Sequence, residues 1–127
     1  MKQAALIAVL LSGCSPTPTS SGSTGAPSPG LDAAGLGVCA ALAALPDASA
    51  AARAFTNLAH DSLHRLAADA RLSRAMSASI LETMEVVERD LSLSAAAGTL
   101  EVDLRALRAS ATTALREVDE TITDCAR

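Results

Sequence analysis

Between Leu100 and Cys125 the apolar residues recur every three or four positions: Leu100, Leu104, Leu107, Ala111, Leu115, Val118, Ile122 and Cys125. Only a helix gathers that spacing onto one stripe, so the stretch is read as an amphipathic helix of about seven turns. A helix with one apolar stripe must bury it against other elements, and the chain upstream has to supply them.

Those elements are legible in turn. Leu72, Met76, Ile80, Met84, Val87 and Leu91 mark the inner side of a helix over 70–92, with Asp69 as N-cap and Glu85–Arg89 as an outward pair. Leu93 to Thr99 forms a small-residue loop, and Thr99 is placed to cap the last helix. Further upstream, Asp47 opens a helix whose face carries Phe55, Leu58, Ala59, Ser62 and Leu66, with Asp61–Arg65 paired outside. Ala67-Ala68-Asp69 is the corner between these two helices. Nothing in those residues forbids one continuous helix, but residues 47–92 as a single rod would extend about 68 Å at 1.5 Å per residue. No other part of the chain is long enough to cover it. The first helix runs from Asp32, as N-cap, to Leu45, with Val38, Cys39, Leu42 and Leu45 on its apolar side. Gly35 and Gly37 weaken its first turns, and Pro46 ends it. Residues 31–127 are thus expected to form an all-α domain, a small antiparallel bundle of one short helix and three long ones.

What the bundle can be made of narrows its chemistry. Ala occurs 29 times and Phe55 is the only aromatic residue. Such a chain favours helix strongly and lacks the rings that usually line small-molecule pockets.

The first fourteen residues carry a different signal. Lys2 is followed by the eight-residue apolar run Ala4 to Leu11 and then Ser12-Gly13-Cys14. A charged start, a short apolar run and small residues read as a secretory leader, too short to span a hydrocarbon core of about 30 Å. Leu11-Ser12-Gly13-Cys14 resembles the lipobox of bacterial lipoproteins. The resemblance implies that residues 1–13 are a removable signal peptide. It also implies that Cys14 becomes the mature N-terminus, carrying a diacylglyceryl thioether and usually an acyl chain on its amine. Each buried CH₂ of such chains contributes roughly 0.8 kcal/mol, so two or three chains hold the protein on a membrane. Its expected place is then the cell envelope on the extracytoplasmic side, at the cell membrane or at the outer membrane of a two-membrane cell. Ser15, after the lipid-bearing Cys, is similar to residues that permit outer-membrane sorting. Ser15 to Gly30 contains only Ser, Thr, Pro, Gly and one Ala. It cannot bury apolar surface and reads as a disordered stalk over residues 14–30.

Removal of residues 1–13 takes away Lys2, the chain's only lysine, and leaves nine Arg against fourteen Asp plus Glu, a net charge of −5. No basic cluster remains, so nucleic acid is a poor partner. The membrane, through Cys14, and an envelope protein are the partners expected. If Cys14 is lipidated, Cys39 and Cys125 remain, and an exported chain admits one pairing between them. The alternative is two unpaired small core residues. A last helix reaching to Cys125 makes the pairing awkward: Cys39 lies about 9 Å of rise from Leu45, while Cys125 lies about 38 Å from Leu100. Flush helices would leave the sulfurs at different heights.

Two constellations carry possible chemistry. His60 and His64, the only histidines, stand at i and i+4 and could hold a metal ion with a third ligand. At 100° per residue, however, both turn away from the Phe55–Leu66 stripe toward water, on the side of Arg53. Glu117, Glu120 and Asp124 form an acidic stripe at the negative end of the last helix, where a cation or basic partner would compensate them. The metalloprotease pattern, the nucleophile elbow and the phosphate-binding glycine loop are all absent from the sequence. The expectation is a non-catalytic interaction or envelope-structural domain without a cofactor, and the alternative is a metal or small-ligand binding module.

Overall fold

Three short connections force each helix to run antiparallel to the one before it. In the computed structural model, which describes residues 30–122, 124 and 125, α1 spans Ala33–Ala44 and α2 Ala48–Ala54. A π-helical turn, Phe55–Ala59, then leads without a break into α3, His60–Ala67. The last two helices are α4, Arg74–Ser92, and α5, Ala97–Glu117. Because the π turn fuses α2 and α3 into one rod, the expected bundle of one short helix and three long ones is what forms. The rods close a ring: α1 packs on the α2–α3 rod and on α5, α3 packs on α4, and α4 packs on α5. The leader, Cys14 and the stalk lie outside the described residues.

The core follows the stripes. Leu100, Leu104, Leu107, Ala111, Leu115 and Val118 are all buried, facing Ile80, Met84 and Val87 of α4. On α1 the buried residues are small, Ala34, Gly35, Gly37, Val38 and Ala41, and this lets two neighbours approach it. Gly37 is the closest point. A Cβ there would meet the Leu58 carbonyl and stand 2.6 Å from Ala59 Cα, so the glycine expected to weaken the helix is required by the packing.

Helix ends depart from expectation at several places. Asp32 makes no side-chain cap, whereas Asp47 accepts from the Ala50 N–H as expected. Residues 47–92 form two rods, but the corner extends to Ser73. Ser73 Oγ, and not Asp69, accepts from the N–H of Met76 to cap α4. Asp69 instead accepts from the N–H and guanidinium of Arg71, which hold its carboxyl down at about 2. Thr99 falls inside the first turn of α5, which starts at Ala97.

The largest correction concerns the end of α5, which stops at Glu117 and not at Cys125. Asp119 takes φ 55°, its N–H donates to the Arg116 carbonyl, and the Glu120 N–H donates to the Leu115 carbonyl. That is the Schellman closure, with an aspartate in the left-handed place usually held by glycine. Ser94, at φ 53°, ends α4 the same way, with Ala95 N–H donating to the Asp90 carbonyl. Sequence reading looks for glycine at these places and passes over both.

Candidate metal centre

A regular helix would carry His60 and His64 to the side opposite Phe55. The π turn holds one extra residue, so everything after it is rotated back by about 100° relative to a regular helix. Leu58 is thereby turned out to 55% exposure, and Leu63 takes its place in the core with no exposure. The same rotation brings the histidines round to the seam between α3 and α4, while Arg53, before the extra residue, does not turn with them. The expectation that both histidines face open water holds for His64, which is exposed, and is corrected for His60, which is half-buried.

At this seam the antiparallel pairing of α3 with α4 supplies a third group. His60 Nε2 lies 2.9 Å from Glu88 Oε1, and the His60 and His64 rings stand edge to face with centroids 4.7 Å apart. One ligand atom from each of His60, His64 and Glu88 lies within 4.8 Å of the other two. The other nitrogen of His60, Nδ1, is 3.2 Å from Asp61 Oδ1. The buried Phe55 ring stands nearly perpendicular to the His60 ring, with centroids 6.1 Å apart. The Phe55 ring thus backs the half-buried imidazole, and the exposed Asp61 carboxylate lies beside its Nδ1. Asp61 does not pair with Arg65 as expected; that guanidinium donates to Ser62 Oγ at 3.0 Å.

Two residues of the acidic stripe have partners within the chain. Glu117 accepts from the Ser73 N–H at 3.0 Å, and Glu120 lies 3.9 Å from the Arg71 guanidinium. Arg71 also donates to the Val118 carbonyl at 3.1 Å, so one arginine compensates the negative end of α5 from within the chain. Asp124 is not on the helix at all and sits 3.7 Å from Arg108.

Cys39 and Cys125 meet at disulfide distance, with Cα atoms 5.1 Å apart. The height difference expected from a long last helix disappears because α5 ends early. Beyond Asp119, Ile122 is half-buried against the core, Asp124 lies beside Arg108 of α5, and Cys125 meets Cys39 near the middle of α1.

No helix among the described residues is long and apolar enough to cross a membrane. Compared with protein families, with curated proteins and with solved structures, the chain matches none.

Proposed function

We propose that this chain is a lipid-anchored envelope protein whose helical bundle is a non-catalytic interaction or structural module, held off the membrane on a flexible stalk. The observation that carries this reading is the approach of Cys39 to Cys125. A staple between them suits an exported chain and leaves Cys14, within the lipobox-like Leu11-Ser12-Gly13-Cys14, as the one cysteine for a lipid. The non-catalytic part rests on an Ala- and Leu-rich core with a single ring and on serines outside any nucleophile context. The partner is then an envelope protein bound by the outer faces of the bundle, with the membrane engaged only through Cys14.

Fractionation and mass spectrometry test the anchor. The mature protein is expected to begin at Cys14, to partition into detergent and to carry a lipid-sized mass increment. Cys14→Ala is expected to leave precursor unprocessed or to release protein without lipid. Wild-type protein that is soluble and unmodified in the medium overturns the reading. Crosslinking of the anchored protein in cells, followed by identification of what it captures, tests the interaction role.

A further inference from the structure

We infer that His60, His64 and Glu88 form a binding site for a divalent transition metal ion of the zinc class, with a fourth coordination place open to water or an external ligand. The inference does not depend on the anchor, since all three residues belong to the bundle. Two imidazoles with one carboxylate are the donors that zinc, copper and nickel take, whereas magnesium and calcium seek all-oxygen sets. Around zinc at 2.0–2.2 Å from each ligand, tetrahedral donor atoms stand about 3.3 Å apart. His60 Nε2 and Glu88 Oε1 are 2.9 Å apart, and the triad fits within 4.8 Å, so an ion enters after shifts of the order of one rotamer adjustment.

His64 and Glu88 are exposed and His60 is half-buried, and what distinguishes the cluster is the arrangement around His60. Metal-ligating histidines characteristically donate their second ring N–H to a carboxylate, a carbonyl or water, which fixes the tautomer and strengthens the ligand. His60 has that arrangement: Nδ1 lies 3.2 Å from the exposed Asp61 carboxylate while Nε2 lies 2.9 Å from Glu88. The ring is further backed by Phe55. His64 follows at i+4 on the same rigid α3, and Glu88 comes from a different helix, so a bound ion would tie the α2–α3 rod to α4. The local charge is favourable. Glu88 and Asp61 bring two carboxylates to the site, and the guanidinium of Arg65 on the same helix is directed to Ser62 Oγ. The π turn that exposes Leu58 is what rotates the two imidazoles to this seam, and π turns recur where function demands a local departure from the helix.

The test is calorimetric titration of Zn²⁺ into the full chain carrying Cys14→Ser, which removes the one thiol outside the Cys39–Cys125 pair. One ion per chain is expected to bind, and the melting temperature is expected to rise with zinc because only the folded chain assembles the triad. His60→Gln, His64→Gln and Glu88→Gln are each expected to weaken binding by at least about tenfold, and Asp61→Asn by about tenfold through the orientation of His60. Glu82→Gln, an exposed change on the same α4, is expected to leave the affinity as it was. Should His60→Gln fail to fold without metal, Glu88→Gln, at an exposed position, carries the same test. Absence of binding at millimolar zinc overturns the site. Undiminished affinity in Glu88→Gln or His64→Gln, or equal binding of Mg²⁺, does so too, since the ion would then be held by diffuse acidic surface. None of these failures touches the anchor, which is read by mass at Cys14.

Discussion

The α4–α5 hairpin and the α2–α3 rod are built from the same kinds of residue, yet only the hairpin obeys a single helical period. Along α4 and α5 the residues spaced three and four apart go inward, with Ile80, Val87, Leu107 and Ala111 fully buried. Along the rod, Leu58 lies on the apparent inner face and is exposed, while Leu63, off that face, is fully buried. One extra residue in the turn Phe55–Ala59 accounts for both. Periodicity is a sound guide to burial only where the turn is constant, and the place where it breaks holds the histidine cluster.

Deletions sharpen this contrast most strongly. Removing Glu85 from the regular α4 rotates all that follows by 100°, carrying Val87 out of the core. Each buried side chain so exposed costs about 1.5–3 kcal/mol, and the turn at 93–96 no longer meets α5. Loss of a cooperative thermal transition is the expected outcome. Removing Asn57, which is exposed in the π turn, should instead restore a regular helix with Phe55 and Leu63 still inward, and the protein should fold. If Asn57 deletion unfolds the chain while Glu85 deletion does not, the extra-residue account of the rod is wrong.

Next in size is the staple between the two halves. Cys39 belongs to α1, beside the rod, and Cys125 to the tail that follows the hairpin, 86 residues away. Closing a loop of that length stabilises by about 4–5 kcal/mol in the chain-entropy model. Cys39→Ser combined with Cys125→Ser is expected to lower the urea-unfolding free energy by that order. A thiol assay on unfolded, unreduced protein gives the direct check, because two free thiols at 39 and 125 would remove the staple altogether.

Two leucines then test the comparison at the level of single side chains. Leu107→Ala in the hairpin should cost about 2–5 kcal/mol, as for a fully buried leucine. Leu58→Ala in the rod should stay within about 0.5 kcal/mol, as for a surface position. Equal costs would place Leu58 in the core and restore the regular helix. Gly37 gives a smaller effect of the same origin. Gly37→Ala forces α1 off the backbone of the π turn and is expected to destabilise by about 1–3 kcal/mol. Gly98, with open space around it at the start of α5, should accept Ala without loss.

How far the sequence reached follows from these same residues. The all-α class, the four rods, the corner near 68 and the inward stripes of α4 and α5 were readable because long regular periods and short breaks are local properties. The meeting of Cys39 with Cys125 was readable from cysteine number, but not its route, since Asp119 ends α5 without the glycine that signals such an end. Glu88 was not legible as a partner of the histidines. Its position opposite His60 depends on the antiparallel docking of α4 and on a π turn that leaves no mark in hydrophobic spacing. Gly37 could have been found by asking which glycine faces a neighbouring backbone, and that question requires the packed fold.

The regular hairpin has one irregularity of its own, and it has the smallest expected effect. Asp90 of α4 and Asp103 of α5 face each other, and Oδ2 of Asp90 is buried without a hydrogen-bond partner among the described residues. The Asp103 carboxyl is held above its usual 3.8, first by hydrogen bonding to Asp90, then by burial and by the like charge. A carboxyl whose pKa is raised by folding binds its proton more tightly in the native state. Its contribution to stability is therefore full below pH 3.8 and is lost as pH rises through the raised value, where two carboxylates must coexist across the seam. Asp103→Asn keeps a hydrogen-bond donor toward Asp90 and removes the charge. The variant should melt at a higher temperature than wild type at pH 7, and the difference should close as pH is lowered toward 3.8. A gain that is constant with pH would assign the effect to packing or helix propensity. A loss at pH 7 would show that the Asp103 carboxylate is itself stabilising, with its proton playing no part in holding α4 to α5.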